Sequence, residues 1–148
     1  MQTSSSESVA KLNELLRGEL SAVETYNQAL EKIEEPFIAR EEIRRCHAAH
    51  QSRVEVLRRA VANLGGAPSE SSGAWGTFAK LIEGGAKVLG PKMAIAALEE
   101  GEDYGLALYR KALEELDPSS RALVDRDLLP GQQETHRSIS NIKKSLSV

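Results

Sequence analysis

The sequence predicts an all-α protein, an antiparallel four-helix bundle built from two helical hairpins. Three observations carry that expectation. The stretch from Gly18 to Ile33, GELSAVETYNQALEKI, returns 83 residues later as Gly101 to Leu116, GEDYGLALYRKALEEL, with six of sixteen aligned positions identical. Gly18 and Glu19 match Gly101 and Glu102, Tyr26 matches Tyr109, and Ala-Leu-Glu at 29–31 matches 112–114. Each copy ends at a proline turn, Glu35-Pro36 or Asp117-Pro118, and each turn leads into a long segment carrying histidine, His47 and His50 in the first half and His136 in the second. Apolar residues recur at three- and four-residue spacing along all four segments, the period of one helix face.

The composition agrees and narrows the function. Ala, Leu, Glu, Lys and Arg dominate and aromatics make up 4 %, as in helical proteins. A chain of 148 residues suits one domain, taken here as 7–148 behind a polar lead at 1–6, and is long enough to bury a core. A net charge of −3 argues against general nucleic-acid binding, which needs a basic face. No apolar run approaches the length that crosses a bilayer, so no membrane partner is expected. The opening MQTSSSES lacks the apolar core of a secretion signal. Cys46 stands alone and has no internal disulfide partner, which fits a reducing, cytoplasmic setting.

The elements follow in order. Ser6 or Ser8 is positioned to cap the first helix, whose stripe is Val9, Leu12, Leu15, Glu19, Val23, Tyr26, Leu30 and Ile33. Glu19 lies inside that apolar stripe. Pro36 ends the helix near residue 34. The second helix spans about Phe37 to Leu64 along Ile43, His47, His50, Val54, Leu57 and Val61, and Gly65-Gly66-Ala67-Pro68 stops it. Residues 65–90 connect the halves, with a short helix expected from about Ala74 to Leu89. A connection of that length suits a crossover that runs the whole bundle. Gly90-Pro91 opens the third helix, where Glu102 again sits inside the stripe. The fourth runs from Ser119 to about Ser145, and Pro130-Gly131 predicts a kink or break within it.

Counting from the proline turns, Glu19 and His50 lie at similar heights in one hairpin and Glu102 and His136 in the other, within about one helical turn. With a full-length crossover all four converge near mid-bundle. Two carboxylates and two imidazoles there make a candidate metal site for iron, manganese or zinc, with His47 as a further ligand.

At these residues the chain resembles the ferritin-like superfamily. Its pattern is a Glu with a Tyr seven residues later on helices one and three, matched by Glu19…Tyr26 and Glu102…Tyr109, and Glu-x-x-His on helices two and four. Here the sequence departs: His47-x-x-His50 and Gln133-x-x-His136 stand in those places, so the second carboxylate pair is missing. The chain is most similar to a bacterial branch of small ferritin-like four-helix bundles of unknown function, and the resemblance suggests a role in a stress response. The resemblance implies a ferritin-like bundle with a long crossover. Iron-dependent oxidase or peroxidase chemistry would further need open coordination positions.

Two functions remain open on sequence alone. One is a ferritin-like protein with a degenerate metal site at Glu19, His50, Glu102 and His136, joined by His47, and no assigned catalytic residue. The other is a metal-free bundle acting as a structural or interaction protein, its buried acids satisfied by histidine and by Arg53, one turn beyond His50. Trp75, Phe78 and Leu81 on the connector either cover the core or serve a homodimer contact, the second being the expectation.

Overall fold

Ser4 starts the first helix in the computed structural model, which describes residues 4–33, 39–73 and 90–146. Its Oγ accepts from the backbone N–H of Glu7 at 3.2 Å and caps α1, Ser5–Lys32, satisfying one of the donors a helix start leaves open. The expected caps Ser6 and Ser8 lie inside the helix. Ser8 is buried, and its Oγ accepts from the backbone N–H of Asp117 at 2.9 Å, tying the start of α1 to the second proline turn.

The second helix, α2, covers Arg40–Asn63. Gly65 follows at φ 82°, the left-handed conformation in which glycine ends helices without a Cβ clash. The chain beyond is pinned back onto α1. Asn13 donates from Nδ2 to the Ala67 carbonyl at 3.1 Å and accepts at Oδ1 from the Ser69 backbone N–H at 2.8 Å. The end of α2 therefore lies beside the start of α1, as an antiparallel hairpin requires. The connector helix expected at Ala74–Leu89, with Trp75, Phe78 and Leu81, lies outside the described residues.

The third helix, α3, runs Pro91–Ala112. Asp117 caps the short α4, Pro118–Leu123, accepting at Oδ2 from the Ser120 backbone N–H at 3.1 Å. Val124–Leu128 then forms a π turn, and α5 continues over Leu129–Leu146. The break expected at Pro130-Gly131 is replaced by this wider turn. The Leu129 N–H bonds back five residues to the Val124 carbonyl, so the ladder slips by one residue just before Pro130. Pro130 then sits in the first turn of α5, where a missing N–H costs little.

Among the described residues there are four helical legs and no β-strand. The legs α3 and α5 run antiparallel, because Glu99 pairs with Lys143 and Asp103 with His136. The first and third helices are also antiparallel, since Glu19 meets Tyr109 and Tyr26 meets Glu102. The apolar core is divided in two. One cluster packs Leu12, Leu16, Leu57, Val61, Leu106, Tyr109, Leu116 and Leu128, and the other packs Tyr26, Ile33, Ile43, Cys46, Ile95, Leu98, Ile139 and Ile142. Between them lies a polar layer.

Candidate functional site: a buried charge network between two apolar clusters

The repeated Gly-Glu of the two halves delivers Glu19 from α1 and Glu102 from α3 into that layer, and His50 from α2 lies between the two carboxylates. Its Nδ1 is 2.5 Å from Glu19 Oε1 and its Nε2 is 2.9 Å from Glu102 Oε2. All three side chains are buried, none exposed by more than 3 %. Both ring nitrogens donate to a carboxylate only if the imidazole is protonated. Burial works against that charge, but Glu19 and Glu102 outweigh it and raise the His50 pKa to about 9.

Arg53, one turn along α2, adds the second cation. Its Nε donates to Glu19 Oε2 at 2.5 Å, and its Nη2 donates to Gln132 Oε1 at 3.0 Å and Thr135 Oγ1 at 3.2 Å on α5. The same Nη2 lies 2.9 Å from His50 Nδ1, an approach of two cations that the carboxylates around them offset. Burial pushes the Glu19 carboxyl up, yet the charges of His50 and Arg53 prevail and hold it at about 2. Two buried carboxylates thus face two buried cations, a neutral set in which each charge has partners.

The tyrosines complete the layer with crossed contacts. Tyr109 donates to Glu19 Oε2 at 2.6 Å and Tyr26 donates to Glu102 Oε2 at 3.1 Å. Burial first and the adjacent carboxylate second raise both phenols well above their ordinary pKa, so they are donors at neutral pH. From α5, Thr135 Oγ1 donates to Glu102 Oε1 at 2.8 Å, and Gln132 Nε2 donates to the same oxygen at 3.2 Å and to the Glu102 carbonyl at 3.1 Å. Two glycines make room for these side chains. A Cβ on Gly105 would stand 2.8 Å from Gln132 Nε2, and one on Gly131 would stand 3.0 Å from Arg53 Nη1. Small cavities of about 30 and 20 Å³ flank the network along the α1–α3 seam, one beside Tyr26 and Glu102 and the other beside Tyr109 and Glu19. Each has room for about one water molecule.

The structure therefore brings together Glu19, His50 and Glu102 of the five residues singled out from sequence. His136 stands apart on the α3–α5 face, half-buried, with Nε2 2.5 Å from Asp103 Oδ1. His47 is also outside the network. Its Nε2 is buried without a hydrogen-bond partner among the described residues, and burial together with the His50 charge lowers its pKa. Among the described residues, no group of three or more His, Cys, Asp or Glu side chains is arranged to hold a metal ion.

Arg53 is legible in the sequence and Gln132 shares the α5 stripe with Gln133, but Thr135 is not singled out by it. The α5 stripe runs back from Ile142 and Ile139 in steps of three and four, and either Thr135 or His136 satisfies that spacing. Of the two, His136 is the one whose side chain is a common metal ligand. The structure places Gln132-x-x-Thr135 inward and turns Gln133 and His136 outward by one residue.

The match to known proteins is narrow. Residues 7–115 match the model of a family described as a domain of unknown function (DUF2383), a stretch that takes in α1, α2 and α3. No curated protein and no solved structure matches the chain.

Proposed function

We infer, for this chain, which belongs to the domain family of unknown function DUF2383, that it is a ferritin-like bundle acting without metal as a structural or interaction protein. The observation that carries this reading is Arg53. A guanidinium inside the network supplies the positive charge that a divalent ion would bring, and does so while bonded to Glu19, Gln132 and Thr135. His50 supplies the rest of the compensation, with both ring nitrogens turned to carboxylates rather than free to coordinate. A metal held by Glu19, His50 and Glu102 would have to displace the His50 proton and sit against a fixed cation, both unfavourable in a low-dielectric core.

The ferritin-like arrangement, with its full-length crossover, is part of the same proposal. It is supported by the antiparallel pairing of α1 with α3 and by the exchange of equivalent residues across that pair, as a two-fold axis perpendicular to the bundle would give. The network's role in this reading is to fix helix register: each carboxylate reaches all its partners only when the four legs align at one height. A cytoplasmic setting agrees with the single, buried Cys46, whose thiol burial and Glu102 push up to about 11.

Metal analysis of untagged protein purified without chelator tests the reading, followed by calorimetry with iron(II), manganese and zinc. The expected result is no stoichiometric ion and no specific binding heat. Stoichiometric metal that is lost in both Glu19→Gln and Glu102→Gln would overturn it in favour of a metal site at Glu19, His50 and Glu102.

A further inference from the structure

The outer face between α3 and α5 carries an open groove of about 690 Å³ that the buried network does not use. Three cations line it: Arg110 from α3, and Arg137 and Lys144 from α5. None of them forms an ion pair among the described residues. The acid on its walls, Asp103, is already bound to His136. The groove is thus positive on a chain whose net charge is −3, so composition alone does not account for it.

The positions of the cations define what fits. The Asp103–His136 contact fixes the level at which the two antiparallel legs meet. Arg137 lies at that level. Arg110 is seven residues on along α3, and Lys144 is eight residues on from His136 along α5 in the opposite direction. At about 1.5 Å per residue the charges are spread over roughly 20 Å. A compact phosphate reaches one of them, whereas a linear polyanion reaches all three. Arg110 and Lys144 lie in the last turns of their helices, where a cation also complements the helix dipole. Arg137 is mid-helix and has no such role.

We propose that this groove binds a linear polyphosphate, laid along the α3–α5 seam with Arg110, Arg137 and Lys144 on phosphates several units apart along the chain. Single-stranded nucleic acid carries a similar charge, but grooves that take it add aromatic side chains on which bases stack. Among the described residues no Phe, Tyr or Trp lines this one.

The test is binding of the full chain to inorganic polyphosphate long enough to span the groove, with pyrophosphate and oligothymidylate as comparison arms, across a salt series. Three phosphate contacts predict a slope of log K against log salt of about −2, and Arg137→Gln should reduce its magnitude by about 0.7. That variant should bind roughly 5- to 10-fold more weakly, a change of about 1–1.4 kcal/mol. Pyrophosphate should bind more weakly than the long chain by a similar or larger factor. The proposal fails if the long chain does not bind, if binding survives Arg110→Gln, Arg137→Gln and Lys144→Gln together, or if oligothymidylate binds as tightly. Circular dichroism checks that the variants stay folded, which their exposed positions favour. None of these residues belongs to the buried network, so failure here leaves the metal-free reading intact, and the reverse also holds.

Discussion

Tyr109 donates to Glu19 across the α1–α3 seam at 2.6 Å, and the equivalent contact with the roles exchanged joins Tyr26 to Glu102 at 3.1 Å. The repeat in the sequence thus closes on itself: each half supplies the acid for the other half's phenol. A hydrogen bond to a buried charge is worth about 1.5–3 kcal/mol. Tyr109→Phe and Tyr26→Phe should each lose about that much in urea unfolding, with the larger loss expected at the shorter Tyr109 contact. Equal and negligible losses would place the stability of the seam in its apolar packing instead.

Arg53 is the residue whose removal should hurt most. Without it Glu19 keeps His50 and Tyr109 but loses its permanent cation, and Gln132 and Thr135 lose a donor. Breaking one side of a buried ion pair costs about 3–5 kcal/mol. Arg53→Met should therefore destabilise by that order, while Arg53→Met combined with Glu19→Gln should cost less than the sum of the two single changes. A coupling energy of about 0.5–3 kcal/mol is the expected non-additivity for groups in contact. Strict additivity would mean that Arg53 and Glu19 do not depend on each other.

Much of this layer was legible in the sequence. The repeated Gly-Glu and the tyrosine seven residues later placed Glu19, Glu102, Tyr26 and Tyr109 inward, because a charged residue inside an apolar stripe has few other places to go. His50 followed from its height relative to the proline turn. The α5 side was less legible for a physical reason. The π turn at Val124–Leu128 shifts the helix ladder by one residue, and no residue type announces that slip. Height does not choose between Thr135 and His136, which differ by only about 1.5 Å along the axis; the face does, and the structure turns Thr135 inward. The connector is a different matter: its expected helix falls outside the described residues.

Stability should fall on the alkaline side through His50. Its folded pKa is raised from 6.5 to about 9, so the contribution is fully present below pH 6.5 and is lost as pH rises through about 9. The interval corresponds to roughly 3 kcal/mol. Glu19 acts at the other end: its pKa falls from 4.5 to about 2, so its contribution is present above pH 4.5 and is lost as pH drops toward 2. Urea midpoints at pH 6, 7.5 and 9 should decline in that order, and His50→Gln should flatten the decline. A wild-type midpoint that is constant across this range would show that folding does not shift the His50 pKa.

Glycine substitutions separate the site's geometry from helix propensity, because Gly101 and Gly105 lie one turn apart on α3 in different surroundings. A Cβ on Gly101 would meet nothing within 4 Å among the described residues, so Gly101→Ala should stabilise by about 0.5–1 kcal/mol through the smaller entropy lost on folding. A Cβ on Gly105 would press to 2.8 Å on Gln132 Nε2. Gln132 would have to withdraw from Glu102, giving up both its bonds to that residue and disturbing its contact with Arg53. The same propensity gain applies at Gly105, but losing one or two buried hydrogen bonds costs about 1–3 kcal/mol and should exceed it. Gly105→Ala should therefore destabilise. Thermal unfolding of the two variants side by side decides the matter, with opposite signs expected. If both stabilise, Gln132 moves aside without penalty and its place in the network is incidental.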